Sequence, residues 1–210
     1  MLSDNLDRLR ALEQDPAGDE DEIERLVEVI EEGLRANPET FVAAVSGIPI
    51  SRADSLFWCD IFGVMPDTLY KDAALQRFFL AELDRLLAQL AEDPGNTSIK
   101  DAIDLVTEAG FVAQGSSLAQ RMRERMRRAI EHPDVVFRAF CIGQMGNLVN
   151  ADCGRILDRL RKMVETEPDR SVRLAAYRVL EEHTSVESLN GKLPIVDRFI
   201  LAVQDKWWRL

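Results

Sequence analysis

The sequence has few of the residues on which most catalytic and metal sites depend. Two histidines, His132 and His183, occur in 210 residues, and the three cysteines, Cys59, Cys141 and Cys153, form no CxxC pair. These residues offer little material for a zinc site, a disulfide framework or a nucleophile that needs a histidine base. The signatures GxSxG, GxxxxGK and HExxH are also absent. We therefore expect a protein without catalytic activity, metal or cofactor, whose thiols are reduced and buried. His132 is expected to be exposed, and His183 to be a packed or capping residue.

Long apolar runs are absent as well. The longest stretch without a charged side chain covers residues 139–151, which is well short of the roughly 18 apolar residues that a bilayer span needs. The chain also has Asp4 and Asp7 where a secretory signal would carry basic residues. These two observations predict a cytoplasmic protein that makes no contact with a membrane.

Charge is distributed unevenly along the chain, whose formal net charge is −11. Residues 1–50 carry 13 acidic against 4 basic side chains, net −9, and residues 51–120 carry a net −6. Residues 121–132 carry a net +3 and residues 133–210 a net +1. An acidic first half repels phosphate backbones and favours basic protein surfaces, so only the second half is suited to an anion.

Apolar side chains recur at helical spacing throughout, and no alternating strand pattern lies between hairpin turns. The longest periodic segment, residues 67–93, places Leu75, Phe79, Leu83 and Leu90 on one side. Further helices are predicted after Asp19 and after Ser51, which are favourable N-cap residues. The sequence therefore predicts an all-α fold of about 9–11 helices.

Two segments of the chain repeat each other at an offset of 35 residues. They are PDVVFRAFCIGQM at residues 133–145 and PDRSVRLAAYRVL at residues 168–180. The helices that precede them match at an offset of 34, with apolar residues on apolar residues. Two consecutive helix pairs thus share one plan, because a helix pair cannot bury its apolar face alone and copies of it stack. The shared letters fall on Pro133 and Pro168, on Asp134 and Asp169, and on Arg138 and Arg173.

The Pro-Asp start, the Val-Arg step of PDRSVRLAAYRVL and the small residues after it resemble the second helix of a HEAT repeat. A looser copy is DPGNTSIKDAIDLV, residues 93–106. The resemblance implies a right-handed superhelical stack of antiparallel helix pairs, an α-solenoid of the kind used mainly to hold other proteins. It also implies that Arg138 and Arg173 make structural contacts between successive repeats.

Residues 1–210 are predicted to form a single α-helical repeat domain, and the segments of this domain differ in how closely they resemble a HEAT repeat. The clearest HEAT-like repeats cover residues 115–183, and residues 66–114 form a degenerate repeat. Residues 1–65 depart from the pattern and are predicted to be divergent N-terminal helices. A C-terminal helix over residues 193–210 is predicted to cap the stack.

Candidate binding residues fall into two groups of opposite charge and one aromatic position. Each charged group is suited to a partner of the other sign, but each could equally be a solvated helix face, and acids are favoured at helix starts in any case. Trp208 is a candidate interface anchor, with the alternative that it helps to cap the stack. The acidic group is Asp19, Glu20, Asp21, Glu24, Glu28, Glu31 and Glu32. The basic group, spaced i, i+4, i+7 on two helices, is Arg121, Arg125, Arg128, Arg155, Arg159 and Lys162.

These features favour a non-catalytic scaffold that binds another protein, one with a basic surface. One concrete form is a bacterial immunity protein that binds and occludes a basic toxin or effector. A HEAT-like protein that binds nucleic acid through the six basic residues is an alternative, and the net charge of −11 argues against it. A third alternative, an accessory protein for cofactor or chromophore attachment, rests on the resemblance alone.

Overall fold

The computed structural model describes residues 2–113, 116–149, 153–183 and Asp197. Regular structure in these residues is helical, with ten α-helices, two three-residue 3-10 turns and no strand. The predicted all-α class is thus confirmed, whereas the superhelical stacking of helix pairs stays a prediction. The predicted capping helix at residues 193–210 lies outside the described residues, apart from Asp197.

The chain forms two compact units, Met1–Met122 and Arg123–Leu210. Helix α7 begins in the first unit and ends in the second. The single domain expected over residues 1–210 stays a prediction. The helices of the first unit are α1 (Leu2–Glu13), α2 (Glu20–Ala36), α3 (Pro38–Val45), α4 (Ser55–Val64), α5 (Ala73–Glu92) and α6 (Thr97–Val112), with 3-10 turns at Arg52–Asp54 and Leu69–Lys71. The remaining helices are α7 (Ser117–Ala129), α8 (Val135–Leu148), α9 (Gly154–Thr166) and α10 (Arg170–His183).

Side-chain caps determine where several helices begin. The Asp19 side chain accepts hydrogen bonds from the first-turn N–H groups of α2, which confirms the predicted cap. A cap at Ser51, predicted for the next apolar helix, is wrong. The Ser51 hydroxyl donates instead to Asp54 at 2.6 Å, and a 3-10 turn intervenes before α4 begins at Ser55. The hydroxyl thus supplies a donor to the buried carboxylate of Asp54 and accepts no hydrogen bond from the N–H groups at the helix start.

An aromatic cluster forms the core of the first unit. Trp58 on α4 is fully buried, and its ring lies 5.5 Å from Phe57, 5.8 Å from Phe62 and 5.8 Å from Phe78 between centroids. Phe79, on the predicted apolar side of α5, adds an edge contact at 6.4 Å. Large rings bury more apolar area than aliphatic residues, so this cluster supplies much of the driving force for folding the unit.

A buried carboxylate joins α1 to the chain before α4. Asp54 is 1% exposed, and it accepts hydrogen bonds from Nε and Nη2 of Arg10, from Nε2 of Gln14 and from the hydroxyl of Ser51. Burial alone would raise the pKa of this carboxyl, but the hydrogen bonds outweigh burial and hold the pKa below its ordinary value. Four donors on one carboxylate make this contact a fixed point of the first unit.

In the second unit, the 35-residue repeat has a structural counterpart. Nη1 of Arg138 donates to the carbonyl of His132 at 3.1 Å, and Nη1 of Arg173 donates to the carbonyl of Glu167 at 2.7 Å. Each arginine also reaches a carboxylate further along the chain. Arg138 binds Glu167 at 2.8 Å, and Arg173 binds Asp197 at 2.9 Å. Both arginines therefore make structural contacts, and that these contacts join successive HEAT-like repeats stays a prediction.

The two aspartates of the repeat are also equivalent. Asp134 accepts a hydrogen bond from the N–H of Phe137 at 2.8 Å, and Asp169 accepts one from the N–H of Val172 at 3.3 Å. Each aspartate thus caps the second helix of its pair. Helix α10 packs against both α8 and α9, so the apolar faces of these helices are buried together.

Candidate functional site

Helix α2 carries most of the predicted acidic residues, with Asp19 as its N-cap. Glu31 is half-buried and pairs with Arg35 one turn later, whereas the other six acidic residues are exposed. Four of these follow one another at intervals of four residues, and their carboxylates make no hydrogen bond or ion pair within the described part of the chain. We call this row the acidic stripe: Glu20, Glu24, Glu28 and Glu32.

The acidic stripe lies on a helix whose other face is firmly packed. Leu26, Ile30 and Leu34 are buried there, as the helical periodicity predicts. Like charges four residues apart destabilise a helix by roughly 0.2–0.5 kcal/mol per pair. The helix dipole favours Glu20 at the N-terminus but opposes Glu32 near the C-terminus. Core packing therefore keeps these carboxylates on the helix surface, since no cation among the described residues pairs with them.

The predicted basic residues lie on α7 and α9 as expected, since both segments are α-helical. Arg121 belongs to the first unit and the other five to the second. The most accessible of those five are Arg128, Arg155 and Lys162. Arg159 is half-buried and donates to Glu131 at 2.8 Å, a hydrogen bond that lowers the pKa of this carboxyl. Part of the positive charge is thus neutralised internally.

A groove of about 600 Å³ lies at the C-terminal end of α2, within the first unit. Leu34 and Leu69 are nearly buried and form its apolar floor, beside the half-buried Val64. Two prolines and four polar side chains complete the walls. The groove begins within one helical turn of the acidic stripe, because Glu31 and Leu34 follow Glu28 on α2. The walls and rim are formed by Pro38, Pro66, Glu31, Arg35, Thr68 and Asp72.

A second groove of about 600 Å³ lies among the 3-10 turn at Arg52–Asp54, α5 and α6. Its two arginines already have partners. Arg85 binds Glu82 at 2.7 Å and the carbonyl of Ile50 at 3.2 Å, and Arg52 binds Asp101 at 3.2 Å. This groove therefore offers an anion no uncommitted cation among the described residues that line it.

The cysteines depart in part from expectation. Cys141 is buried, but Cys59 is exposed and Cys153 is half-buried, so the prediction of three buried thiols is wrong. Desolvation raises the pKa of Cys141 to about 12, and desolvation together with nearby carboxylates such as Asp60 raises that of Cys59. Both thiols are therefore protonated at neutral pH and poor nucleophiles.

The histidines take part in turns and helix ends. His132 is half-buried, and its Nδ1 accepts a hydrogen bond from the N–H of Asp134 at 3.2 Å. The expectation that His132 is exposed is therefore wrong, because the ring folds back over the turn and lies 4.6 Å from the ring of Phe137. His183 lies with Nε2 3.2 Å from the carbonyl of Gly146, as expected of a packed or capping residue.

The described residues contain neither a metal-binding cluster nor a membrane-spanning helix. No group of three or more histidine, cysteine, aspartate or glutamate side chains there could hold a metal ion. None of the helices in that part of the chain combines the length and apolar character needed to cross a bilayer. Trp208, the candidate interface anchor, lies outside the described residues.

Comparison with protein-family models, curated proteins and solved structures finds no match to this chain. Membership of the HEAT-repeat family stays a prediction from the sequence. The fold and the surface together define an all-α protein in which an acidic helix borders an apolar groove.

Proposed function

We propose that this chain is a non-catalytic protein-binding module whose acidic stripe receives a basic surface of a partner protein. The observation that carries the proposal is the row of four exposed carboxylates on α2, which have no partner among the described residues. Their mutual repulsion destabilises the helix, and cations from a partner would relieve it. Glu20 and Glu32 are 12 residues apart, so at 1.5 Å per residue the stripe is roughly 18 Å long, enough to contact several cationic side chains at once.

Charge complementarity alone would increase the association rate and the specificity of binding more than it would increase the affinity for the partner. An exposed ion pair contributes roughly 0.2–1 kcal/mol and is screened by salt. Complementary charge also accelerates encounter and rejects acidic partners. The complex is therefore expected to form quickly and to weaken as the salt concentration rises.

The repeated architecture of the second unit supports a more specific form of the proposal. The equivalent arginine contacts of Arg138 and Arg173 support a HEAT-like repeat in the second unit, and repeat proteins of that kind present extended binding surfaces. A cytoplasmic bacterial immunity protein that occludes a basic toxin or effector is the biological role that we propose for such a module.

The test is affinity capture from the native host with two matched variants, with nuclease added to remove nucleic acid. Glu24→Gln, Glu28→Gln and Glu32→Gln together neutralise three of the four carboxylates of the acidic stripe, and Arg128→Gln, Arg155→Gln and Lys162→Gln neutralise three cations as a control. We expect one stoichiometric basic protein to be retained by the wild type and the control. The acidic variant should bind it roughly tenfold more weakly at low salt, the sum of three exposed pairs.

Other results would contradict the proposal. Equal retention by the acidic variant, with loss from the control variant, would move the site to the basic residues. Capture of nucleic acid in place of protein would favour the alternative function. An unchanged affinity between low and high salt would exclude a mainly electrostatic contact.

A further inference from the structure

We infer that the groove at the C-terminal end of α2 binds an apolar side chain of the partner protein, carried on a segment in which lysine or arginine flanks that side chain. This inference rests on the function proposed above and makes it more specific. It identifies the place where the partner would be anchored as well as the charge that would attract it.

The floor of the groove is suited to an apolar group. Leu34 is 3% and Leu69 is 8% exposed, and both side chains line an open cavity of about 600 Å³ with Val64 beside them. Binding sites of this size are typically apolar with a few polar groups at the edge. A leucine, methionine or phenylalanine side chain that entered it would exchange water for these three aliphatic side chains.

The rim of the groove favours positive charge. Glu31 pairs with Arg35, so these two residues largely offset each other. Asp72 caps α5 through Oδ1, which accepts from the N–H groups of Ala74 and Leu75, whereas Oδ2 makes no hydrogen bond within the described residues. The second oxygen of Asp72 can therefore accept a hydrogen bond from a lysine or arginine.

The acidic stripe extends this charge beyond the groove. Glu28 lies six residues before Leu34 on α2, and Glu32 lies two residues before it. At about 100° per residue these two glutamates lie roughly 120–160° around α2 from Leu34, so the long side chains of lysine or arginine must extend around the helix to meet them. Asp72, by contrast, lies on the rim of the groove itself. Apolar contact at the centre with charge at the periphery is the arrangement found in protein interfaces.

The groove is fixed before any partner arrives. Pro38 occupies the first turn of α3, and Asn37 ends α2 while its side chain accepts from the N–H of Thr40 at 3.0 Å. On the other wall, the N–H of Leu69 donates to the carbonyl of Pro66 at 2.8 Å. Preformed walls reduce the entropy lost on binding, so a short segment can be held.

A methyl NMR titration tests the inference on the full chain with three model peptides. The peptides are Lys-Lys-Leu-Leu-Lys-Lys, the same peptide with serine for leucine, and Glu-Glu-Leu-Leu-Glu-Glu. We expect the first to shift the methyl signals of Leu34, Val64 and Leu69. It should bind at least tenfold more tightly than the serine peptide, and the acidic peptide should not bind.

A matched pair of variants locates the contact. Thr68→Trp fills the groove from its exposed rim, and Thr40→Trp places the same side chain at an exposed position of α3 that does not line the groove. We expect Thr68→Trp to weaken binding of the leucine peptide at least tenfold and Thr40→Trp to leave it unchanged. Both positions are exposed, so both variants should fold.

The possible failures are distinguishable. If the leucine and serine peptides bind equally, or if no peptide shifts these methyl signals at millimolar concentration, the groove inference is overturned, and the capture experiment still decides the proposed function. If the groove methyl signals shift on concentrating the protein alone, a second copy of the chain is the occupant and the inference fails. If the Glu24→Gln, Glu28→Gln and Glu32→Gln variant captures its partner as well as the wild type, the proposed function itself fails.

Discussion

The two units of this protein are stabilised in different ways. Among the described residues of the first unit, the contact of Arg10 with Asp54 and the packing around Trp58 are each found once. In the second unit, the same arginine contact is made by Arg138 and again by Arg173. Repeated geometry requires repeated residues, so it leaves a pattern in the sequence, whereas a contact made once leaves none.

The largest effect should come from the buried carboxylate of the first unit. Asp54→Ala removes the acceptor of four hydrogen bonds and leaves the guanidinium of Arg10 partly buried without a partner. We expect a loss of about 3 kcal/mol in the free energy of unfolding of this unit. Amide hydrogen exchange should show faster exchange in α1 and α4. As a control, Asp7→Ala at an exposed position of α1 should change the free energy of unfolding by less than about 0.5 kcal/mol.

The same residue predicts a pH dependence. Because the pKa of Asp54 is lowered in the folded state, its contribution to stability is complete above the ordinary aspartate pKa of about 4 and is lost as the pH falls through the lowered value. The wild type should therefore lose stability in acid more steeply than Asp54→Ala. Acid titrations of the two proteins, followed by circular dichroism, measure this difference in stability. Unfolding curves that fall equally steeply for both proteins would contradict the assignment.

The second unit should respond less strongly to loss of its repeated contact. Arg138→Ala removes the bonds to the His132 carbonyl and to Glu167, and we expect about 2 kcal/mol of destabilisation, seen as faster exchange in α8 and α10. Arg138→Lys should not restore stability, since an ammonium cannot bridge both acceptors in the geometry of a guanidinium. Arg127→Ala, at an exposed position on α7, is the control. Equal effects of Arg138→Ala and Arg127→Ala would show that the repeated contact contributes little.

A smaller effect of opposite sign is expected inside α8. Gly143 is an exposed helical position, and a Cβ placed there would meet no atom within 4 Å. Gly143→Ala should therefore stabilise the second unit by about 0.5–1 kcal/mol in urea unfolding. Gly146→Ala on the same helix should increase the free energy of unfolding less, because its Cβ would lie 3.3 Å from Oε2 of Glu182 and 3.5 Å from Val179. A larger gain at Gly146 would contradict the packing of α8 on α10.

The smallest effect on stability is expected from a substitution in the core of the first unit. Tyr70 is fully buried, and its hydroxyl has no hydrogen-bond partner among the described residues. Tyr70→Phe removes an unpaired polar group and should change the free energy of unfolding by about 1 kcal/mol or less, towards greater stability. Tyr70→Leu also removes the ring stacked on Phe79 and should cost about 1–2 kcal/mol. A large loss from Tyr70→Phe would reveal a hydrogen bond to the hydroxyl.

Helical class and helix ends could be predicted because they depend on neighbours in sequence. The spacing of Leu75, Phe79 and Leu83 predicted one buried side of α5, and all three are buried. Asp19 could be identified as a cap because its partners are two and three residues away. Ser51 misled the same reasoning, since its hydroxyl bonds to Asp54 inside a network that α1 completes from 40 or more residues away.

The candidate site could be predicted only in part, for the same reason. The acidic residues of α2 could be identified from the sequence, whereas the structure showed which four of them form an exposed row. The groove is not visible, because Leu34, Val64 and Leu69 come from separate segments and look like ordinary core residues. The exposure of Cys59 was missed because apolar neighbours in sequence do not show which side of α4 faces solvent.

The sequence by itself determined the all-α class, the charge of α2 and the 35-residue repeat that Arg138 and Arg173 mark. Each of these depends on residue type and short-range spacing, which helical geometry converts directly into structure. Only the tertiary structure decided that Asp54 would be buried against Arg10 and that a groove would open at the end of α2. These features depend on segments far apart in the chain, whose approach is set by how whole helices pack.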